Sequence, residues 1–600
     1  FALAALGALR PWYLALVQAV FVALGLWFGR PGTTPDPSRP DPESLRRWAG
    51  TALVLLAVLH VLPALVPAVD WDGVAYHLAL PALYLDAGGF IFRPDIFHNL
   101  FPQFAEMLYL PALMFPHGAA AKLVHWAFGL LAAAAVLAAG RLHGLGRWAW
   151  LAALVFYAQY LVHVVSGTAF VELVSTAYVM LAWIAWRTGT QQPGRGGVWT
   201  GLAFFLLGVT IAVKWHGAVL WAGAVLAWGL AGGAGRRGGW AWLAPLWAWV
   251  PALPWLARAQ WLGGNPVWPL MHGIFGGRQW DAETAGRVAS FVREFAGLRH
   301  DWLGWLRLPW DLWTRGEAFG LGGADLRWPL TGALLLAALW IVHRLVRSRN
   351  LFGRGLVPAA AGLMTIVGVW FFSSPQIRFL LPLFPLAALT VVAMLRELWN
   401  APRRWRIPAA AAACLLVATH PPVHRETPRH VRLIAGGEAA ETYLADHLAH
   451  YRACRFLNLQ PDPAARVLLF GENRGFYLER SYYWGDPMLQ TVVDWRRLDT
   501  PADTARRLAE LEVRWLLVRF DLYGGDYLPS DVADRVRAVA AKYGTQAFRD
   551  GPVRVFRLEH PPFARPGDSA LGRKPGMLYN AGDGDGAVRH RCPPPRQGDG

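Results

Sequence analysis

A short segment that follows an apolar stretch contains the residues best suited to chemistry. It is Val69–Leu78, with the sequence VDWDGVAYHL. If a helix begins after Asp72, that carboxylate stands at its start and Tyr76 and His77 lie one turn further on. A carboxylate beside a phenol and an imidazole can act as a general base toward a hydroxyl or an amine.

Two other interpretations of this segment stay open. Asp72 could serve only as an N-cap, whose side chain accepts backbone N–H bonds. Asp70, Asp72 and His77 could also bind a divalent metal, although two Asp and one His so close together are a weak metal pattern. We predict catalytic Asp72 with Asp70 in support, substrate contacts from Tyr76 and His77, and no cofactor.

Three more charged residues interrupt apolar stretches. Glu172 stands near the end of an apolar helix, where an ionisable group is costly unless it is functional, paired or at the water interface. Lys214 separates two apolar runs in a chain that hardly uses lysine. Its point charge suits a phosphate, or it pairs with Glu172. Arg378 precedes another apolar run and suits a phosphate, a lipid headgroup or a carboxylate. We predict that Glu172 supports catalysis and that the two cations bind substrate.

The composition excludes a soluble enzyme of several ordinary domains. Only 16% of the 600 residues are charged, 55% are hydrophobic and 33 are Trp, whereas soluble proteins have about 25% charged residues. A membrane-spanning helix needs about 20 apolar residues. We therefore predict a polytopic α-helical membrane protein with about twelve transmembrane helices within 1–420, at 3–28, 48–68, 118–140, 149–165, 168–186, 198–213, 216–232, 239–257, 328–346, 355–372, 378–396 and 407–420.

The basic residues predict the orientation. The chain has 57 Lys and Arg against 40 Asp and Glu, a net charge of +17, and Arg clusters in alternate loops, which is typical of the cytoplasmic side. The loops 69–117 and 258–327 and the chain after about 420 then lie outside, where we predict the chemistry. Because the basic residues are spread over loops rather than gathered on one surface, we discount nucleic-acid binding.

The C-terminal part has a different composition. We predict a small extracytoplasmic α/β domain over 421–562 and a disordered tail over 563–600, which is rich in Pro, Gly and charge. The predicted strands and helices of the domain are Arg466–Glu472, Arg514–Phe520, Val553–Leu558, Pro501–Val513 and Ser530–Tyr543.

From about 50 to 400 the chain resembles the GT-C superfamily of polyprenyl-phosphate-sugar-dependent glycosyltransferases. The most similar group is bacterial and is related to lipid A aminoarabinose transferases, protein O-mannosyltransferases and the rhizobial lipopolysaccharide RgtA/B/C/D enzymes. Asp72 and Tyr76 resemble the acidic and aromatic positions of the first outer loop of that family, although Gly73 replaces the usual Glu. Glu172, Lys214 and Arg378–Pro382 also resemble family positions, in the same order.

The resemblance implies a reaction in the bacterial plasma membrane. A sugar on undecaprenyl phosphate or a similar carrier would be transferred to an envelope lipid, glycan or protein, with inversion at the anomeric carbon. Lys214 and Arg378 would lie at the donor phosphate, and Asp72 would deprotonate the acceptor.

Two rival classes stay open. One is a polytopic transporter or a flippase for lipid-linked saccharides, and the other is a non-catalytic membrane scaffold. An enzyme requires that Asp72, Lys214 and Arg378 line one outer cavity. A transporter instead requires a polar path that continues to the cytoplasmic side.

Overall fold

The protein is a helical bundle joined to a small sheet domain. The computed structural model describes residues 43–192, 194–232, 239–294, 300–320, 356–400, 426–521 and 529–559, with five single positions between 402 and 414. Within these ranges four helices have the length and hydropathy to cross a membrane, and a bent pair would make a fifth. The chain is thus a multi-pass membrane protein. The described residues do not reach the predicted count of twelve.

The helices of the bundle follow most of the predicted spans. In chain order they are α1 Glu43–Leu65, α2 Ala79–Ala87, α3 Phe104–Tyr109, α4 Ala119–Leu142, α5 Trp148–Tyr157, α6 Tyr160–Ser166, α7 Glu172–Gln191, α8 Gly196–Val213, α9 His216–Leu230, α10 Leu253–Gly263, α11 His272–Phe275, α12 Ala282–Glu294, α13 Trp302–Thr314, α14 Leu356–Ser373 and α15 Phe384–Asn400. The predicted spans 3–28 and 328–346, most of 407–420 and the tail 563–600 lie outside the described residues.

Apolar packing holds this bundle together. Helix α4 lies against both α5 and α7, α7 lies against α8, and α15 lies against α5. The contact faces of α4, α5, α7 and α15 form one buried apolar cluster, of which Ala132, Val136, Phe156 and Val392 are fully buried, and α7 and α8 share a second cluster. Burying apolar surface of this kind is the main stabilising contribution to a fold.

The predicted span 149–165 is not one straight helix. It is the pair α5 and α6, which meet at a bend of 60°. At the break Gln159 has an extended backbone, and its side-chain amide donates to the carbonyl of Val155 at 2.6 Å. The side chain thus satisfies a carbonyl that a continuous helix would have paired with the backbone.

The prediction of one α-helix over 239–257 is wrong. The structure has a 3-10 stretch at Gly239–Trp249 and then α10. Pro245 lies inside that stretch, and proline cannot donate the backbone bond that an α-helix needs. Gly208 of α8 lets this stretch approach closely, since a Cβ there would lie 1.9 Å from the carbonyl oxygen of Ala248.

The loop between α1 and α4 is built from short helical turns. Directly after Asp72 comes a single π-helical turn, Gly73–His77, followed by α2, a 3-10 turn at Phe97–Leu100 and α3. All five residues of the π turn are buried. The loop 66–118, which carries the candidate catalytic residues Asp70 and Asp72, is therefore a packed part of the structure rather than an open loop.

The C-terminal unit is an α/β domain with a five-stranded sheet of order β2-β1-β3-β5-β4. The first three strands in this order are parallel, and β5 is antiparallel to both of its neighbours. The predicted strands and helices are confirmed with small shifts of their ends, whereas the strands Tyr482–Trp484 (β2) and Gly544–Asp550 (β4) and the three helices before β1 were not predicted. The elements are α16 Thr427–Ile434, α17 Ala440–His447, α18 Tyr451–Asn458, β1 Arg466–Phe470, β2 Tyr482–Trp484, α19 Pro501–Glu510, β3 Val513–Val518, α20 Ser530–Tyr543, β4 Gly544–Asp550 and β5 Val553–Leu558.

One face of this sheet packs directly on the loop 66–118. Trp484 and Leu469 share a buried cluster with Tyr76 and Leu80 of the loop, while the other face is covered by α19 and α20. Arg93 of the loop donates to the carbonyl of Tyr482 at 2.7 Å. The C-terminal domain therefore forms the outer wall of the segment that contains Asp70 and Asp72.

A buried ionic cluster anchors the same contact. Glu472 is fully buried and accepts from Arg474 at 2.7 and 2.8 Å, and Arg519 and His450 lie within 3.2 Å of it. The guanidinium of Arg474 stands 4.5 Å from the ring centroid of Trp71, the residue between Asp70 and Asp72. A planar guanidinium stacks well on an indole, so this arginine joins the domain to the acidic segment.

Candidate active site

Four of the predicted charged residues meet at one end of the bundle. Asp72 comes from the loop 66–118, Glu172 is the first residue of α7, and Lys214 directly follows α8. Arg378 lies in the first turn of a 3-10 segment, Ile377–Leu383, which leads into α15. Each stands where an apolar helix ends or begins, because a charge is tolerated there and not in the middle of a membrane.

The four side chains form two contacting ion pairs. Arg378 Nη2 lies 2.7 Å from Asp72 Oδ2, and Lys214 Nζ lies 3.4 Å from Glu172 Oε1. Arg378 Nε is a further 3.9 Å from the same Glu172 oxygen. The exposed fractions of these side chains are 4% for Glu172, 11% for Arg378, 16% for Lys214 and 18% for Asp72. Charges this buried are stable only when paired, and the small residual exposure is greatest at Asp72.

Two aromatic rings support the cations. The guanidinium carbon of Arg378 is 4.9 Å from the ring centroid of Phe170, and Lys214 Nζ is 4.4 Å from that of Phe379. Cations over aromatic faces gain electrostatic stabilisation, which grows when water is excluded. The rings also block hydration on one side, so an anion that enters the site meets poorly solvated positive charges.

Asp72 is not an N-cap in this structure. It precedes the π turn, but its side chain makes no capping hydrogen bond; its carboxylate contacts Arg378 instead. Burial alone would raise the pKa of Asp72, but the charge of Arg378, together with that of Lys214, outweighs that effect and holds the pKa below its ordinary value. Asp72 is therefore a carboxylate anion paired with a guanidinium.

Asp70 occupies a different environment from Asp72. Its Oδ2 is buried and has no hydrogen-bond partner among the described residues. Burial raises the pKa of Asp70, and the nearby charge of Lys122 only partly offsets that rise. Two carboxyls in one loop whose pKa values are displaced in opposite directions are suited to different roles.

The position of Asp70 also constrains residue 73, which is Gly in this chain. A Cβ at Gly73 would lie 1.9 Å from Asp70 Oδ2 and 2.8 Å from its carboxyl carbon. Any larger residue at position 73 would therefore displace the Asp70 carboxyl.

We expect Gly73→Ala to force Asp70 out of its place and to lower the free energy of unfolding by about 1–3 kcal/mol, as overpacking of a buried site usually does. Thermal unfolding in detergent measures the change. Gly197→Ala is the matched control, because nothing lies within 4 Å of a Cβ at Gly197 in α8. If both variants melt at the wild-type temperature, the close contact between Gly73 and Asp70 does not constrain the loop.

Tyr76 and His77 have their own partners beside the ion pairs. The ring of Tyr76 stacks on that of His98, with centroids 3.7 Å apart, and His77 Nδ1 lies 2.6 Å from Glu106 Oε1. For His77 Nε2, which is buried, the described residues offer no hydrogen-bond partner. Since an ionised carboxylate can only accept, Glu106 would orient His77 with the Nε2 lone pair free. The sequence analysis did not identify Glu106.

The fold of this chain is similar to that of a protein whose structure has been solved. A crystal structure of ArnT from Cupriavidus metallidurans bound to undecaprenyl phosphate is similar with a TM-score of 0.51 at 15% identity, over 85% of this chain and 98% of ArnT. The chain has a GT-C fold. An oligosaccharyltransferase from Archaeoglobus fulgidus is similar over 86% of this chain and 74% of its own, at 15% identity and a TM-score of 0.48. No protein-family model and no curated protein matches the sequence.

The GT-C fold places the acidic loop and the ends of α7, α8 and α15 at one end of the bundle. The opposite end carries seven of the described arginines, and Arg396 there donates to the carbonyl of Gly144 at 2.8 Å. The arginines at or near that end are Arg46, Arg47, Arg141, Arg147, Arg187, Arg195 and Arg396.

The three candidate metal ligands of this GT-C site do not converge. Asp70 lies on Gly73, Asp72 contacts Arg378, and His77 contacts Glu106. Across the described ranges there is no group of three or more His, Cys, Asp and Glu side chains placed to hold a metal ion. The alternative of a divalent metal site on these three residues therefore has no shared ligand position among the described residues.

Proposed function

We propose that this protein is a membrane glycosyltransferase that moves a sugar from a polyprenyl-phosphate-linked donor to an envelope acceptor. The observation that carries the proposal is the meeting of Arg378 and Lys214 with Asp72 and Glu172 at one nearly buried end of a GT-C bundle. Two cations suit a lipid phosphate, and a carboxylate beside them suits an acceptor proton. The carrier is inferred from ArnT, whose crystal structure contains undecaprenyl phosphate.

The reaction is a single displacement. The acceptor oxygen, or nitrogen, attacks the anomeric carbon, the bond from that carbon to the phosphate oxygen breaks, and its electron pair goes to the phosphate. Asp72 takes the proton of the nucleophile as general base. One displacement inverts the anomeric configuration. No nucleotide-sugar is needed, because the lipid phosphate is the leaving group.

Lys214 and Arg378 stabilise the charge that gathers on the departing phosphate. Preorganised cations in a water-poor site need little reorganisation as charge develops, which makes them effective at this step. Their aromatic supports, Phe379 and Phe170, keep them poorly hydrated before the donor arrives. No metal or other cofactor has a role in this scheme.

Glu172 and Asp70 have supporting roles in the proposal. Glu172 contacts Lys214 and lies near Arg378, so it holds both cations in place. Asp70 supports the loop that carries Asp72. Tyr76 and His77 lie in the same loop, and the unpaired Nε2 of His77 is a hydrogen-bond acceptor for a substrate hydroxyl.

The site faces the outer side of a bacterial plasma membrane in this proposal. Arginine-rich loops are retained in the cytoplasm, and described members of the predicted cytoplasmic loops, such as Arg141 and Arg396, lie at the end of the bundle opposite the ion pairs. The loop 66–118 and the C-terminal domain that covers it are then both extracytoplasmic. The acceptor is an envelope lipid, glycan or protein that reaches the site from that side.

Deletion of the gene tests the function. Mass spectrometry of envelope glycans, lipids and proteins should show one sugar missing from one component and restored by the wild-type gene. Asp534→Asn should restore it fully, because the Asp534 side chain is 70% exposed and its ion pair is with Arg537, three residues along the same helix. An unchanged envelope in the deletion strain would contradict the proposal.

A transporter or flippase would give a different outcome. Purified protein in liposomes would move a lipid-linked saccharide across the bilayer without releasing undecaprenyl phosphate. The glycosyltransferase should instead release undecaprenyl phosphate from an undecaprenyl-phosphate sugar when envelope extract is added as acceptor.

A further inference from the structure

We propose that, before the donor binds, Asp72 pairs with the Arg378 guanidinium at the position that the donor phosphate later takes. Donor binding then releases Asp72 from Arg378, so that it can act as base. The inference rests on the proposed function and concerns how that site is regulated. It starts from the 2.7 Å contact between Arg378 Nη2 and Asp72 Oδ2.

Arg378 already uses much of its hydrogen-bonding capacity. Its Nε donates to Gln376 Oε1 at 3.0 Å, Nη2 faces Asp72, and one face of the guanidinium lies over Phe170. Guanidinium binds carboxylate and phosphate with the same planar fork of N–H donors. A phosphate that binds the N–H donors of Arg378 therefore competes for them with Asp72.

Lys214 is in a different situation. Its close partner is Glu172, which is only 4% exposed and receives a further contact from the backbone N–H of Val171 at 3.1 Å. Asp72 is more exposed than Glu172, and it precedes a single π turn, whereas Glu172 begins a helix of 20 residues. Of the two carboxylates, Asp72 is thus the one that can move away.

The paired state makes Asp72 a weak base. A carboxylate held by a guanidinium gives up stabilisation if it accepts a proton, and Arg378 contributes to the lowered pKa of Asp72. When phosphate takes Arg378, Asp72 loses a positive neighbour and gains a negative one. Both changes raise its proton affinity. The acceptor is therefore activated only when the donor is in place.

The same competition assists turnover. After transfer Asp72 carries the proton from the acceptor and is neutral, so it does not compete with the phosphate product. Once that proton passes to water, Asp72 regains its negative charge and can form the ion pair with Arg378 again. The carboxylate then helps to displace undecaprenyl phosphate from the site.

The test measures the affinity of the purified full-length protein in nanodiscs for undecaprenyl phosphate without sugar. Asp72→Asn should bind this lipid at least about fivefold more tightly than wild type, although the variant lacks the base. Asp70→Asn is the matched comparison, because it removes a carboxyl from the same segment that does not contact Arg378. The gain in affinity for undecaprenyl phosphate should be clearly smaller in Asp70→Asn than in Asp72→Asn.

Simple repulsion between Asp72 and phosphate is separated from competition by a double-mutant cycle. In an Arg378→Gln background, Asp72→Asn should give no gain if the two anions compete for Arg378. A gain that persists there, or an equal gain in Asp70→Asn, overturns the proposal. Where Arg378→Gln binds too weakly to measure, Arg378→Lys replaces it as the background, and the gain from Asp72→Asn should shrink there because an ammonium lacks the planar fork of donors.

The outcome also separates this inference from the proposed function. If wild type does not bind undecaprenyl phosphate, the donor class itself is wrong. If wild type binds and Asp72→Asn binds equally or less tightly, the donor class stands and the competition between Asp72 and phosphate is excluded. Thermal unfolding of each variant verifies that the compared proteins are folded.

Discussion

Asp72→Asn should reduce sugar transfer by about 10²–10⁴-fold, because a general base contributes a factor of that size. Asn is nearly isosteric with Asp, and its side-chain oxygen can still accept from Arg378. It cannot take a proton from the acceptor. Release of undecaprenyl phosphate from an undecaprenyl-phosphate sugar, in the presence of envelope extract, measures the rate.

The control separates a lost base from a lost fold. Asp72→Asn should elute as wild type on size exclusion and unfold at a similar temperature, because Arg378 keeps Glu172 nearby. Asp70→Asn should lose less activity, since Asp70 supports the loop without contacting the ion pairs. If Asp72→Asn keeps near-normal turnover, the base is another group and the catalytic assignment fails.

Lys214→Ala should lower kcat by about 10²–10³-fold, the cost usually seen when one group that stabilises developing charge is removed. Lys214→Arg should lose much less, because it keeps the positive charge and the contact with the Phe379 ring. The comparison between the two variants tests charge at the phosphate rather than the particular side chain. Donor-dependent release of undecaprenyl phosphate at saturating donor gives the ratio.

Lys542→Ala is the matched control for this pair. Lys542 is an exposed lysine of α20 in the C-terminal domain, so its removal should leave kcat unchanged. Equal activity of Lys214→Ala and wild type would remove Lys214 from the donor site. Equal loss in the Ala and Arg variants would mean that Lys214 acts through its shape or its contact with Glu172 instead of its charge.

The charged residues of the site could be predicted because the membrane makes them conspicuous. Glu172, Lys214 and Arg378 each interrupt a long apolar stretch, and the burial cost of a charge means that such a residue needs a partner or a function. The sequence could not tell which carboxylate belongs to which cation. That pairing depends on how α7, α8 and α15 end relative to the loop, which is a property of packing.

Glu106 shows why other parts of the site escaped prediction. It stands in a short apolar run, Phe104–Tyr109, and its partner His77 is 29 positions away. No local spacing connects two such residues. Strand β2 was missed for a related reason, since three residues are too few for an alternating pattern and Tyr482–Trp484 forms a strand only by pairing with β1.

The contact between the loop and the C-terminal domain has a consequence for how the protein is made. Arg93 and the carbonyl of Tyr482 that it contacts are 389 positions apart. At a synthesis rate of 5–20 residues per second, the loop emerges roughly 20–80 s before its partner. Until then Trp71 lacks Arg474 and the acidic segment lacks its outer wall. Substitutions at this contact should therefore change mainly how many chains survive biogenesis, and only secondarily how fast each finished molecule works.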